Sequence, residues 1–235
     1  MLFSELAEAG LELQAAVPLT ELGDAAVQAL ADDEVDLDDH RSLVLLGQRG
    51  RSLWDRSVRH NLDADDPFDD TVHELVADWF ATHAPNAAWT VVYPGSVRLP
   101  LGQLATAVGW GSPSPLGITI HPTHGLWIAH RIAFICDLDL RTEPEAGPHP
   151  CSSCVDTPCV SACPVEAVSL SEAFNLRACA EHRAPVGSDC EFQCFSRSAC
   201  PVASDLEYGP EQTAHHYTSG LRSIRAWLES ENQSL

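Results

Sequence analysis

The stretch Cys151-Ser-Ser-Cys154-Val-Asp-Thr-Pro-Cys159-Val-Ser-Ala-Cys163-Pro164 decides how the second half of the chain reads. Cys179, Cys190, Cys194 and Cys200-Pro201 follow it, so eight of the nine cysteines fall between residues 151 and 200. Residues Met1 to Ala16 are acidic and carry no basic n-region, so the expected compartment is the cytoplasm. Disulfides are rare there, and a dense cysteine cluster points instead to a metal centre. Gaps of two, four and three residues let successive thiolates converge on one inorganic cube. Cys163 then turns away at Pro164, because proline ends local hydrogen bonding.

The run resembles the bacterial ferredoxin pattern C-x2-C-x2-C-x3-C-P, with four residues (Val155 to Pro158) where the pattern has two. In that pattern the fourth cysteine serves the other cluster, and two cubanes need eight thiolates, the number this segment supplies. The expectation is therefore two [4Fe–4S] clusters. One cluster and zinc remain as alternatives; zinc favours paired C-x2-C knuckles, and the segment has one such pair. Cys136 stands apart in an apolar stretch and reads as a buried structural thiol.

Working outward, Arg141 to Pro150 (RTEPEAGPHP) is rich in turn-formers and marks a boundary. We expect residues 1–145 to form an α+β domain and residues 146–235 a cluster-bearing domain with a closing helix. Asp66-Pro67 reads as a helix cap and first-turn proline. Val72, Leu75, Val76, Trp79 and Phe80 then line one helical face. Shorter helices are expected at residues 3–16, 51–60 and 101–108, and strands at 43–46, 89–93, 117–120 and 127–138. Gly117 to His124, with the strand after Gly125, reads as a hairpin. Leu221, Ile224, Trp227 and Leu228 make an amphipathic tail helix. Ala31–Asp39 and Asp63–Asp70 read as solvated acidic loops.

The chain of 235 residues carries 34 acidic and 13 basic side chains, a net charge of −21, and every basic residue is arginine. Such a surface repels phosphate backbones, so neither nucleic acid nor an anionic membrane is an expected partner. The same acidity fits a saline habitat, a solubility need or a docking face for an electron-transfer partner. No apolar run approaches the roughly 18 residues of a membrane span.

A second resemblance begins at Val108-Gly-Trp-Gly111 and continues through Leu116-Gly-Ile-Thr-Ile-His-Pro-Thr-His-Gly-Leu-Trp127 to Leu140. These segments resemble two related families, the epoxyqueuosine reductases and the CblC-type cobalamin-processing proteins. The resemblance implies a nitroreductase-related, mainly antiparallel sheet with helices, followed by a ferredoxin-like two-cluster module. It implies that Cys151, Cys154, Cys159 and Cys200 hold one cluster, and Cys163, Cys179, Cys190 and Cys194 the other. It further implies a corrinoid (cobalamin) region at Gly117, Ile118, Thr119, Ile120, His121, Trp127 and Arg131. Each of these has a plainer reading: His121 as a hairpin cap, Trp127 as core, Arg131 as an ion-pair partner. His215-His216 reads as solvated, and Gly109-x-Gly111 lacks the strand-then-helix context of a phosphate loop. The Gly-Arg-Asp-Tyr-His stretch of the reductases has no counterpart. Asp55 is a candidate acid by position only, and the catalytic residues stay unknown.

The expected function is an iron–sulfur oxidoreductase that takes electrons from a small donor protein or a flavin and delivers them to a corrinoid. A plain electron carrier with a docking domain, and a structural metal module, are the rivals.

Overall fold

The structure is a computed structural model and describes residues 2–144 and 147–233. The chain divides into two compact units: Met1–Ser112 with Ile128–Gly147, and Pro113–Trp127 with Pro148–Leu235. The expected boundary between residues 145 and 146 lies outside the described residues. The fold is α+β, with a mainly antiparallel sheet and helices.

The first unit is built on four antiparallel strands, β1 (Leu13–Pro18), β2 (Ser42–Arg49), β3 (Trp89–Tyr93) and β4 (Ile128–Cys136), in the order β1-β2-β4-β3. The period of two along a strand sends alternate side chains to opposite faces. Val44, Leu46, Ile132 and Phe134 meet Phe3, Val72, Val76 and Phe80 on one face. Leu43, Leu45, Ala133 and Ile135 meet Leu30, Leu104 and Ala105 on the other. Helices thus cover both faces, which is why β2 is apolar almost throughout rather than alternating. The helix α1 (Pro67–His83) starts as expected, with Asp66 accepting the Asp69 N–H. Its Phe80 stacks on Trp89 at 4.9 Å and meets Phe134 edge-on at 5.5 Å.

Three expectations fail. Residues 3–16 are not one helix: a short helix, Ser4–Glu8, ends before Gly10, and β1 follows. Gly10 holds φ +110 with Leu53 backbone against its α-carbon, a place no side chain fits. The apolar residues of Leu11–Val17 suit strand and helix alike at that length, and pairing with β2 decides. Both acidic stretches are partly helical rather than solvated loops: residues 31–32 close the helix Asp24–Asp32, whose Leu30 is fully buried, and residues 67–70 open α1 with Phe68 buried. Thr119–Ile120 does not pair with β4 but lies in a separate two-stranded ladder, while β4 is paired on both sides, by β2 and β3.

The second unit has little regular structure before its last helix. Its short turns, Pro150–Ser153, Pro158–Ser161 and Phe195–Ser198, carry Cys151 and Cys159 and are flanked by Cys154, Cys163, Cys194 and Cys200. Two longer helices, α2 (Leu176–Arg183) and α3 (Pro210–Gln233), close it. Arg225 on α3 donates to the Ala184 carbonyl at 2.9 Å just past the end of α2. The apolar core here is small: Leu116, Ile120, Leu126, Val168 and Cys200, with Cys151, Cys159, Cys163 and Cys194 packed against it. Among the described residues, no helix is long and apolar enough to cross a membrane.

Candidate metal centre

None of the nine cysteines is paired in a disulfide. Cys136 is fully buried in the sheet, and burial pushes its thiol up to about 11. The other eight gather in the second unit as two sets of neighbours. Burial first, and then the charges of Cys159, Cys200 and Cys154, raise the Cys151 thiol. Burial and then Cys200 and Cys154 raise Cys159. Burial and Cys154 also raise Cys200, against a lowering hydrogen bond from the Val202 backbone. In the other set, Cys190 is raised by burial and then by Cys194, Cys179 and Cys163. Burial raises Cys179 too, with Cys194 and Cys163 adding to it and Arg183 opposing. Thiols that raise one another when ionised are thiols that would share a cation well.

Local sequence explains the convergence. His149 accepts the Cys151 N–H at 3.2 Å and so holds the first turn. Thr157 adopts φ +40 in the four-residue gap, which returns the chain to Cys159. The Ala167 N–H points at Cys163 Sγ, 3.3 Å away. Cys163, Cys179, Cys190 and Cys194 all line one cavity of about 320 Å³, whose other walls mix apolar side chains such as Leu116, Val168 and Phe174 with polar ones such as His182, Arg183 and Arg197. Among the described residues no group of three or more His, Cys, Asp and Glu side chains forms a ready-made site for a single metal ion. A cubane asks for a different arrangement, four thiolates spread over the corners of a cube rather than drawn to one point about 2.3 Å away.

The residues expected to meet a corrinoid are divided between the units. Gly117 sits at φ +73, and a Cβ there would stand 3.2 Å from Phe174, so its glycine is required by the turn and by packing. Ile118 is half-exposed and lines the cysteine cavity; Ile120 is buried. His121 closes the turn: its backbone exchanges both hydrogen bonds with Gly125, and its Nδ1 accepts the N–H groups of Thr123 and His124. Burial, then the charge of His124, hold this imidazole down at about 4. Trp127 is 3% exposed, under the Arg197 guanidinium at 4.5 Å and edge-on to Tyr208. Arg131 belongs to β4 in the first unit. There it donates to the fully buried Gln48 at 2.9 Å and lies over the Phe68 ring. Asp55 is exposed and faces Arg51 at 3.7 Å.

Sequence reasoning missed Gln48 and Arg197. A polar residue inside the apolar run of β2 is a signal that could have found Gln48. Arg197 offers none, since an arginine among short cysteine gaps looks solvated.

No protein-family model matches the sequence, and no curated protein matches it. Solved structures do. An epoxyqueuosine reductase in complex with an epoxyqueuosine-modified tRNA-Tyr stem loop aligns at a TM-score of 0.57 and 16% identity, over 90% of this chain and 66% of that one. The fold is that of the epoxyqueuosine reductases. The enzyme from Streptococcus thermophilus aligns at 0.55 and 13% identity, over 88% and 66% of the two chains. The one from Bacillus subtilis aligns at 0.55 and 15%, over the same shares, 88% and 66%. Identity at this level speaks for the fold alone. The chain spans about 66% of the length of these relatives.

Proposed function

We propose that the protein is an iron–sulfur oxidoreductase whose second unit is a ferredoxin-like module holding two [4Fe–4S] clusters. Cys151, Cys154, Cys159 and Cys200 hold one, and Cys163, Cys179, Cys190 and Cys194 the other. The observation that carries this reading is the cavity lined by all four cysteines of the second set. The donor set fits the group: four thiols, walls that are partly apolar and a backbone N–H aimed at sulfur. When bound, such clusters supply one-electron redox chemistry. The chain's own part is to hold them and set their potential. The Ala167 N–H takes electron density from Cys163 Sγ. Phe174 and Val168 put apolar surface beside the sulfurs. Arg183, which opposes the raising of Cys179, stabilises its thiolate.

The electrons come from a small donor protein or a flavin, and the acceptor is a corrinoid, on the sequence resemblance of Gly117–Trp127 and Arg131. Nucleic acid is not a partner in this reading; the net charge of −21 opposes a phosphate backbone, and the tRNA stem loop belongs to the relative. One observation favours the second reading, a plain electron carrier. Gly117, His121 and Trp127 are each engaged within the second unit, by Phe174, by the turn amides and by Arg197. Anaerobic purification with iron and sulfide analysis tests the proposal. The expected result is a brown protein, bleached by dithionite, with roughly eight irons per chain. Replacement of Cys194 by Ser removes about half of that iron. Colourless protein after anaerobic reconstitution, or zinc in place of iron, defeats it. A spectral shift of added hydroxocobalamin then separates the corrinoid reading from the carrier.

A further inference from the structure

Arg183 ends α2, four residues after Cys179. At helical period those two positions share a face, and side chains lean toward the helix start, so the arginine stem runs back toward the thiol. Its guanidinium lies 4.7 Å from the centre of the Tyr217 ring, and its Nε donates to the Cys190 carbonyl at 3.3 Å. Arg183 and Tyr217 line the same cavity as Cys163, Cys179, Cys190 and Cys194. This charge is not spent on a carboxylate. Arg177 on the same helix pairs with Glu181 at 2.9 Å and Glu231 at 3.7 Å, and Arg225 pairs with Glu191 at 3.4 Å. Among the described residues Arg183 forms no ion pair, in a chain with 34 acidic side chains. The two acids beside Cys190 do not cancel it: Asp189 is exposed, and Glu191 faces Arg225 and accepts the Gly187 N–H at 2.8 Å. The thiols register the cation. Burial raises Cys179 and Cys190 and neighbouring thiols add to it, while Arg183 lowers both. Among the described residues the charges acting on Cys151, Cys159 and Cys200 are those of other thiols alone.

We propose that Arg183 makes the two cluster sites unequal: it holds the group bound by Cys163, Cys179, Cys190 and Cys194 at the higher reduction potential, so the first electron taken up by the protein comes to rest there. The inference rests on the iron–sulfur reading and deepens it by giving the pair of sites a direction. A [4Fe–4S] group on four thiolates is an anion that gains one more negative charge on reduction, and net charge is among the quantities that set its potential. A fixed cation beside it favours the reduced form, and more strongly where solvent screens it less. Arginine keeps its proton at every working pH, so the bias is permanent. One electron passes from one group to the other, with no bond made or broken and no proton moved. It comes from the donor protein or flavin of the proposed function.

The test is a redox titration of the anaerobic holoprotein with dithionite, followed by electron paramagnetic resonance. Two separate one-electron waves are expected. Arg183→Gln should move the higher wave down by about 59 mV, the equivalent of a tenfold change in a one-electron couple, with the lower wave and the iron content unchanged. Arg183→Lys keeps the charge and should leave the higher wave near its original place, whereas a role in packing alone would not separate Lys from Gln. Arg222→Gln removes the same charge from an exposed position on α3 and should move neither wave. Coincident waves in the unaltered protein overturn the inference by themselves. So does a higher wave that Arg183→Gln leaves in place, or a shift shared equally by both waves. Iron analysis reads out separately: iron-free protein defeats the cluster reading beneath, while iron-loaded protein with equal sites defeats only the role of Arg183.

Discussion

The two units are stabilised by different things. The first buries whole aromatic and aliphatic side chains on both faces of a four-stranded sheet. The second buries fewer, Leu116, Ile120, Leu126, Trp127, Val168, Tyr208 and Leu221 among them, and exposes Val155, Leu170, Val186 and Phe192. Burial is worth roughly 25 cal/mol per Å² of apolar surface, so the first unit has a sufficient driving force of its own. The second lacks one of comparable size. Under the iron–sulfur proposal, its order would depend on what the thiols hold, because metal binding and folding are coupled in such modules.

The largest effect expected is therefore from removing iron. Chelation under anaerobic conditions should abolish visible absorbance and open α2 and the cysteine turns to protease, while β1–β4 keep their hydrogen-exchange protection. Uniform loss of protection in both units would erase the distinction. Next, Phe134→Ala deletes the ring that Phe3, Phe80 and Trp89 meet. It should cost about 3–5 kcal/mol in denaturant unfolding of the first unit, with cluster absorbance at zero denaturant unchanged. Gly125→Ala sharpens the other side. Gly125 sits at φ +58, and a Cβ there would collide with the Val202 carbonyl. The left-handed strain alone is about 1–2 kcal/mol, and the second unit should melt first in a protease assay.

The smallest effect is on acid stability, and it touches both units. His121 in the second and His130 in the first are each held down at about 4, chiefly by burial, then by His124 and Arg131 respectively. A histidine whose folded value lies below its free value near 6.5 favours the unfolded chain as it protonates. Stability should be level above pH 6.5 and fall as pH drops from there toward 4. His121→Asn, whose side-chain oxygen can still accept an N–H, should flatten that slope for the second unit only. An unaltered slope would mean that His121 does not set it.

Much of this was legible in the sequence, for physical reasons. The face Val72, Val76 and Phe80 and its Asp66-Pro67 start repeat at helical period, and α1 forms where that pattern runs. The eight cysteines announced a clustered region, since thiols so close have few other uses. The strand at Leu13–Pro18 was not legible, because a short apolar run satisfies either period until a partner strand claims it. Nor was the role of Gly117 and Gly125. Their positive φ and close neighbours, Phe174 and Val202, come from segments far along the chain. Arg131 could be named, but not its seat on Gln48 and Phe68.

The most direct test is native mass spectrometry of the anaerobically purified protein. The account predicts a mass increment of about eight irons and eight sulfides per chain, falling by one Fe4S4 unit when Cys163 and Cys190 are both replaced by Ser. A chain whose mass shows only bound zinc ions, or cysteines lost as disulfides, would contradict it.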